Sequence, residues 1–477
     1  GLNTSGLHTA ETEHMLKWTF GGVAQEFYLR VGRFYRKWGP TYYFESRYAE
    51  KVFKDMLSEA GVEVRFGLRV DKVVKNEAGK ITHITLTDGS TVAARVFVDA
   101  SYEGDLMARA GVSYTVGREA IAEYGEPLAG IRLDKTPRKA ATVDEQGNLL
   151  PGISVWAKDL TEGAADPKTM NYNWRLCFSR TPETRAPFSK PARYDRGRYR
   201  LLENWLREQT AAQQKVVLTD ILDLYAHHVP GRKDKVEVNN KQAAIISIGH
   251  FGGQFEYPEA DYAKRDEIIA DHTEYTLGLL HFLATDEAVP ENLRTETAEW
   301  GMHKEEFPDN GHWPYQMYVR EARRMKGAYV MTQKDVQENR RKPDAIALGS
   351  HFIDSHHVQR VALSTTEFVN EGRIWEEGMV YQIPFRAITP KKEECSNLLV
   401  PGAASFSHVA FCAYRLESTW MMTGHAAGSA AARAAKYDKP VQDLAMENLQ
   451  PILRSQGQVI DFVPGQPETF AEAKGRK

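Results

Sequence analysis

NLLVPGAASFSHVAFCAYRLESTWMMTGHAAGSAAARAA, residues Asn397 to Ala435, is the stretch whose reading decides the fold. It opens as an apolar strand, Leu398 to Val400. A loop of small residues follows, from Ala403 to His408. It closes in a helix rich in glycine and alanine. Gly424, Ala427, Gly428 and Ala431 recur at helical spacing, so one helix face carries almost no side-chain bulk. A backbone or a flat ligand can approach such a face closely. Ser418 and Thr419 are the expected caps, with the helix beginning near Trp420. Its free N–H groups then point back at the loop and favour a negatively polarised group. A small-residue helix packed against a sheet satisfies the same spacing, and residues alone leave both readings open.

Working outward, the 477 residues are too many for one small core and suggest two packed domains. Hydrophobic residues make up 42% and charged residues 26%, as in ordinary globular chains. A net charge of −3 gives no reason to expect a nucleic-acid partner. No run of eighteen apolar residues predicts a membrane span. The cysteines Cys177, Cys395 and Cys412 form no CxxC pair, which argues against iron–sulfur and zinc-knuckle sites. A bond between Cys395 and Cys412 stays open, because only the fold sets their distance.

In chain order, Leu16, Phe20, Val23, Phe27 and Val31 predict an amphipathic helix. A second is expected from Arg47 to Ala60. Short β-branched runs follow at 62–66, 70–75, 81–87, 91–92 and 96–100, reading as a strand, a small meander and a return to the main sheet. Asn171 to Ser179 reads as a strand, with Asn173, Arg175 and Cys177 on one face. Those polar residues can line a substrate cleft or make ordinary structural hydrogen bonds. Tyr199 to Tyr225 and Tyr257 to Leu283 read as helices. The turn Asp309–Pro314 presents His312 and Trp313, and Arg320, Arg323 and Arg324 follow. Such a group can bind a hydroxylated or carboxylated small molecule; a solvated arginine-rich helix fits the same residues. His351, His356 and His357 are the densest histidine group, but adjacent side chains point apart, and no metal site is expected. A histidine here serves better as a proton donor or acceptor.

Six further segments carry a resemblance: SGLHTAE (Ser5–Glu11), FGGVAQEFYLRVG (Phe20–Gly32), FVDASYEGDLMARAGVSYTVGREA (Phe97–Ala120), NYNWRLCFS (Asn171–Ser179), DNGHWPYQMYVREARRM (Asp309–Met325) and SHVAFCAYRLES (Ser407–Ser418). With the opening stretch they resemble FAD-dependent oxidoreductases of a glutathione-reductase-like FAD fold, more narrowly a bacterial branch. The resemblance implies an α/β chain: a three-layer FAD/NAD(P)-binding fold built from residues 1–120 and 376–457, an inserted α+β substrate domain at 121–375, and a tail at 458–477. It implies that FAD is the cofactor. Relatives open with a strand, a G-x-G-x-x-G turn and a helix ahead of the SGL segment. No G-x-G-x-x-G occurs here, so the fold is expected to be truncated at its N-terminus, and the compartment is not readable.

By the same resemblance, Gly1, Ser5 and Gly6 run beside the pyrophosphate and flavin. Val70 meets the adenine. Ala100, Ser101, Gly104 and Asp105 form a cofactor-side segment. Gly402, Ser405, Ser407, Arg415, Glu417 and Gly424 surround the flavin, although Ala403 stands where an acidic ribityl contact is usual. Asn173, Arg175, His312, Trp313, Arg320 and His351 are expected on the substrate. The expected chemistry is hydride transfer from an alcohol or amine carbon of a small polar, sugar-like substrate onto flavin N5, with an unidentified electron acceptor. His408 is the first candidate base, His312 the second, and Arg415 the third catalytic group. A remnant or binding module that does not retain flavin is the alternative. A hydrolase or lyase finds no G-x-S-x-G elbow or H-E-x-x-H motif.

Overall fold

The computed structural model describes residues 2–9 and 11–475. Gly1 lies outside them. Helices and several small sheets alternate along the chain in a mixed α/β arrangement. The two ends meet. Phe97–Val98 and Leu398–Leu399 form a parallel pair, with Leu398 opposite Phe97 and Leu399 opposite Val98. Phe97 N donates to Asn397 O at 2.9 Å and Asp99 N to Leu399 O at 2.8 Å. The Asn397 amide then accepts from Ile81 N at 2.8 Å and donates to Ile81 O at 2.9 Å. One side chain thereby locks the antiparallel meander (Val70–Lys75, Ile81–Leu86, Thr91–Ala93) to this pair.

One apolar core joins early and late residues: Phe27, Val31 and Phe44 share it with Phe406, Tyr414, Met422 and Leu449. A second core lies between a five-stranded antiparallel sheet and the helix Tyr262–Thr285. Ala345–Gly349 pairs with Tyr381–Pro384, and both belong to the first core. All three cysteines are free and buried. No helix among the described residues is long and apolar enough to cross a membrane.

Several local expectations change. The loop read from Ala403 to His408 runs into a separate helix, His408–Tyr414, capped by Ser407 Oγ accepting from Ala410 N at 3.2 Å. Its residues are all buried, and burial outweighs weak helix propensity. The alanine-rich helix then starts at Glu417 rather than near Trp420, with extended Leu416 ahead of it. Ser418 and Thr419, expected as caps, lie inside the helix, Leu416 at its start gives no side-chain cap, and Glu417 in the first turn complements the helix dipole instead.

Only Leu176–Ser179 of the expected 171–179 strand is regular, at the centre of the five-stranded sheet. Residues before it make single bridges to His250 and Tyr318 instead. The 199–225 run breaks: Arg200–Ala211 is helix, but Leu222–Tyr225 is a strand paired with Val236–Asn240. The long helix begins at Tyr262, where Asp261 caps it by accepting from Lys264 N at 2.8 Å. Val62 to Phe66 forms no strand. Val62, Val64 and Phe66 stay 51%, 41% and 79% exposed, and no described strand stands beside them to take their backbone groups.

Candidate functional site

A groove of about 220 Å³ opens where the parallel pair ends, lined by Ala100, Ser101, Tyr102, Gly402, Glu417, Trp420 and Gly424. Ligands favour this end of strands in open α/β sheets. Asp99 shapes the floor. Its carboxylate accepts from Ser101 Oγ at 2.6 Å, Ser101 N at 3.0 Å and Met107 N at 2.8 Å. Gly402 lies so close to the Ser101 carbonyl that a Cβ would fall 2.4 Å from it. On the opposite wall, a Cβ at Gly424 meets nothing within 4 Å. That open face suits a flat ring. Two buried polar atoms on the same helix, Thr419 Oγ1 and Trp420 Nε1, have no partner among the described residues.

The opening loop is fastened to this groove. Glu417 accepts from Leu2 N at 3.1 Å and, in a short contact, from Tyr102 OH. Gly6 has φ +95°, and a Cβ there would sit 2.0 Å from the Arg175 carbonyl, so only glycine lets the loop lie so close. Ser5 is buried, and its N–H donates to Leu2 O at 2.8 Å.

Beyond the loop, three buried arginines gather around Tyr318, which packs with Leu2 and Leu7. Arg175 pairs with Glu11 at 3.1 Å and with Glu237 in a short contact. Arg415 donates to Tyr318 OH at 3.1 Å and to Asp354 O at 2.8 Å. Arg320 donates to Asn171 O at 2.6 Å and to Asn173 Oδ1, and lies 4.5 Å from the Tyr318 ring centre. No carboxylate among the described residues lies within ion-pair distance of Arg320. Burial, then Arg415 and Arg175, hold its guanidinium down at about 9. The Nε atoms of all three arginines are buried without a partner among the described residues. An uncompensated buried cation of this kind suits an anionic ligand.

The expected bases go elsewhere. His408 is buried and its Nδ1 lies 2.9 Å from Glu321 Oε2. Burial pushes the imidazole down, but Glu321 and Cys412 outweigh it and raise its pKa to about 10. Glu321 also takes Arg324, which donates to Glu119 at 2.6 Å. His408 therefore stands protonated inside an ion network at neutral pH. His312, at φ +65°, has Nδ1 3.2 Å from Glu306 O. Trp313 stacks edge-on against Trp174 with centroids 5.4 Å apart. His351 is buried; its Nδ1 lies 2.7 Å from Phe352 O and its Nε2 has no partner among the described residues. Burial, then His14, hold this imidazole well below its usual value.

Ser405 Oγ accepts from Gly327 N at 3.0 Å, and Ser407 Oγ donates to Glu126 at 2.6 Å, so both are spent on the protein. Asp105 is turned into ion pairs with Arg265 at 2.7 Å and Arg323 at 2.9 Å. Gly104, at φ +67°, packs under Ala403. The Val70 carbonyl accepts from Tyr262 OH at 2.8 Å. His356 faces Gln242 while His357 reaches Asp134 at 3.0 Å, so the adjacent rings diverge. Trp420, Asp354 and Glu11 join the site without having been singled out. Nothing in their local spacing marks them; only the folded loop brings them together.

The groove and the unpartnered donors beside it fit the flavin end of a dinucleotide. The chain itself supplies no G-x-G-x-x-G for the phosphates. No curated protein and no solved structure matches the chain. The family described as FAD dependent oxidoreductase does match, over residues 1–453, and the chain belongs to that family, with FAD as its cofactor.

Proposed function

We propose that this chain oxidises a small polar substrate carrying an acidic group, of sugar-acid or hydroxy-acid type. The observation that carries the reading is Arg320, a buried cation with only neutral partners, between two more buried arginines. FAD, when bound, supplies the hydride acceptor. The rest falls to the side chains. Arg320 and Arg415 hold the substrate anion, and planar guanidinium groups grip a carboxylate at two points. Asn173 and Tyr318 orient Arg320 and Arg415. The Glu417–Tyr102 contact keeps the opening loop between groove and arginines, which excludes water.

The proton of the oxidised alcohol or amine needs a neutral base. His408 is ill suited, since Glu321 keeps it charged. We assign the role to His351, whose Nδ1 is turned to Phe352 O and whose Nε2 is bare.

The test is anaerobic. FAD is added to the purified chain, and paired acidic and neutral sugars are screened for bleaching of the flavin absorbance. Acidic substrates should bleach it and their neutral analogues should not. Equal bleaching by both would overturn the anion reading. His351→Gln should slow bleaching at least 100-fold with substrate affinity unchanged.

A further inference from the structure

We propose that His8, Cys177 and Glu306 form a binding site for one zinc ion. The three residues come from separate segments: the opening loop, the strand Leu176–Ser179, and the loop after the strand Gly301–His303. All three are buried, at 0%, 1% and 1% exposure. Their ligand atoms (an imidazole nitrogen, Sγ and a carboxylate oxygen) lie within 4.8 Å of one another. Around a tetrahedral zinc such atoms stand roughly 3.3–3.7 Å apart, from metal–ligand bonds of about 2.0–2.3 Å. A contraction of at most about 1.5 Å between any two of them closes the site.

The second observation is the unsatisfied state of the donors. Both ring nitrogens of His8 and Oε2 of Glu306 are buried without any hydrogen-bond partner among the described residues. Leaving such groups bare carries a desolvation penalty that a bound ion relieves. The backbone of His8 is meanwhile firmly held: its N–H donates to Glu237 at 3.3 Å and its carbonyl accepts from Phe44 N at 2.9 Å. The ring is thus presented to its neighbours by a fixed main chain. Glu306 is oriented from its other oxygen, where Lys235 donates at 2.7 Å. Lys235 also reaches Glu45 at 2.5 Å, so its charge is already balanced and does not cancel the site.

The donor set selects the ion. One sulfur, one nitrogen and one oxygen suit zinc better than magnesium or calcium, which prefer all-oxygen shells. Burial raises the Cys177 thiol, so it is neutral in the empty site. Binding forms the Zn–S bond, breaks S–H and releases that proton to solvent. Thiolate and carboxylate then balance the two positive charges, and a fourth position is left for water. The ion ties the opening loop to the sheet, two residues from Arg175 and two from Gly6. The proposal is independent of the substrate reading above.

The experiment uses the full chain after chelator treatment and dialysis. Co²⁺ is titrated in as a spectroscopic stand-in, and Zn²⁺ is then added to displace it. One equivalent of Co²⁺ should give a sulfur-to-cobalt charge-transfer band in the near ultraviolet and strong visible bands of a tetrahedral site. Cys177→Ser should abolish the first band, and His8→Gln should weaken binding at least tenfold. A wild-type titration without the sulfur band would overturn the proposal. So would a band that survives in Cys177→Ser. The wild-type spectrum decides even where a variant does not fold.

Discussion

Arg320 and Arg324 are four residues apart, equally buried, and predicted to behave oppositely when replaced by methionine. Arg324 donates to Glu119 at 2.6 Å, to Gly117 O at 2.7 Å and to Glu321. Its removal strands two buried carboxylates, which costs about 3–5 kcal/mol. Arg320 has no carboxylate to strand. Its guanidinium is depressed from an ordinary 12.5 to about 9, with burial the leading cause. At about 1.4 kcal/mol per pH unit, keeping it charged costs on the order of several kcal/mol. The sign follows from the direction: the folded protein binds this proton less tightly than the unfolded chain. The cost is therefore fully present below about pH 9 and fades only above it.

Arg320→Met removes that cost but leaves Asn171 O and Asn173 Oδ1 without their donor, at about 1–3 kcal/mol each. The terms oppose one another, so the net change in stability should stay within about 2 kcal/mol. Catalysis should suffer instead. Two charge-assisted hydrogen bonds to a substrate anion, at about 1.5–3 kcal/mol each, amount to at least about 100-fold in kcat/KM. Urea melts of both variants read the first quantity, and anaerobic flavin reduction reads the second. Should Arg320→Met prove as unstable as Arg324→Met, its charge is satisfied within the protein, and the anion-binding argument is refuted.

Gly424→Leu should stabilise the flavin-free chain by about 0.8–1 kcal/mol through helix propensity, since its side chain enters open space, yet abolish the yellow colour by filling the groove. Thermal melts and flavin absorbance read the two effects. His408→Ala should cost about 3–5 kcal/mol near pH 7. The wild-type advantage is full below pH 6.5 and disappears as pH rises through about 10, so melts across that window should converge with the variant. Burial and the nearby Glu11 raise Glu13 to about 7, so charging it works against the fold. That penalty is absent below about pH 4.5 and grows up to pH 7; Glu13→Gln should raise the melting temperature at pH 8 and leave it unchanged at pH 4.

Much of the fold lies within local reach. Met446–Ser455 shows its apolar period plainly, and the meander at 70–93 is punctuated by its own turns. Leu222–Tyr225 was not legible, because four residues cannot separate a strand from a helix end; its partner Val236–Asn240 decides. The helix His408–Tyr414 was hidden for a similar reason. Its cap, Ser407, is visible, but what favours helix is burial on all sides.

By itself, the sequence determined the family and the cofactor, and its small residues at helical spacing and strand-end glycines, which act through local geometry, marked the stretch that lines the groove. Only the tertiary structure decided which side chains are spent. His408 lost its freedom to Glu321, Ser407 to Glu126, and Asp105 to two arginines, while Arg320 and His351 kept atoms unpartnered among the described residues. Charge pairing and desolvation depend on neighbours hundreds of residues away, and no local pattern records them.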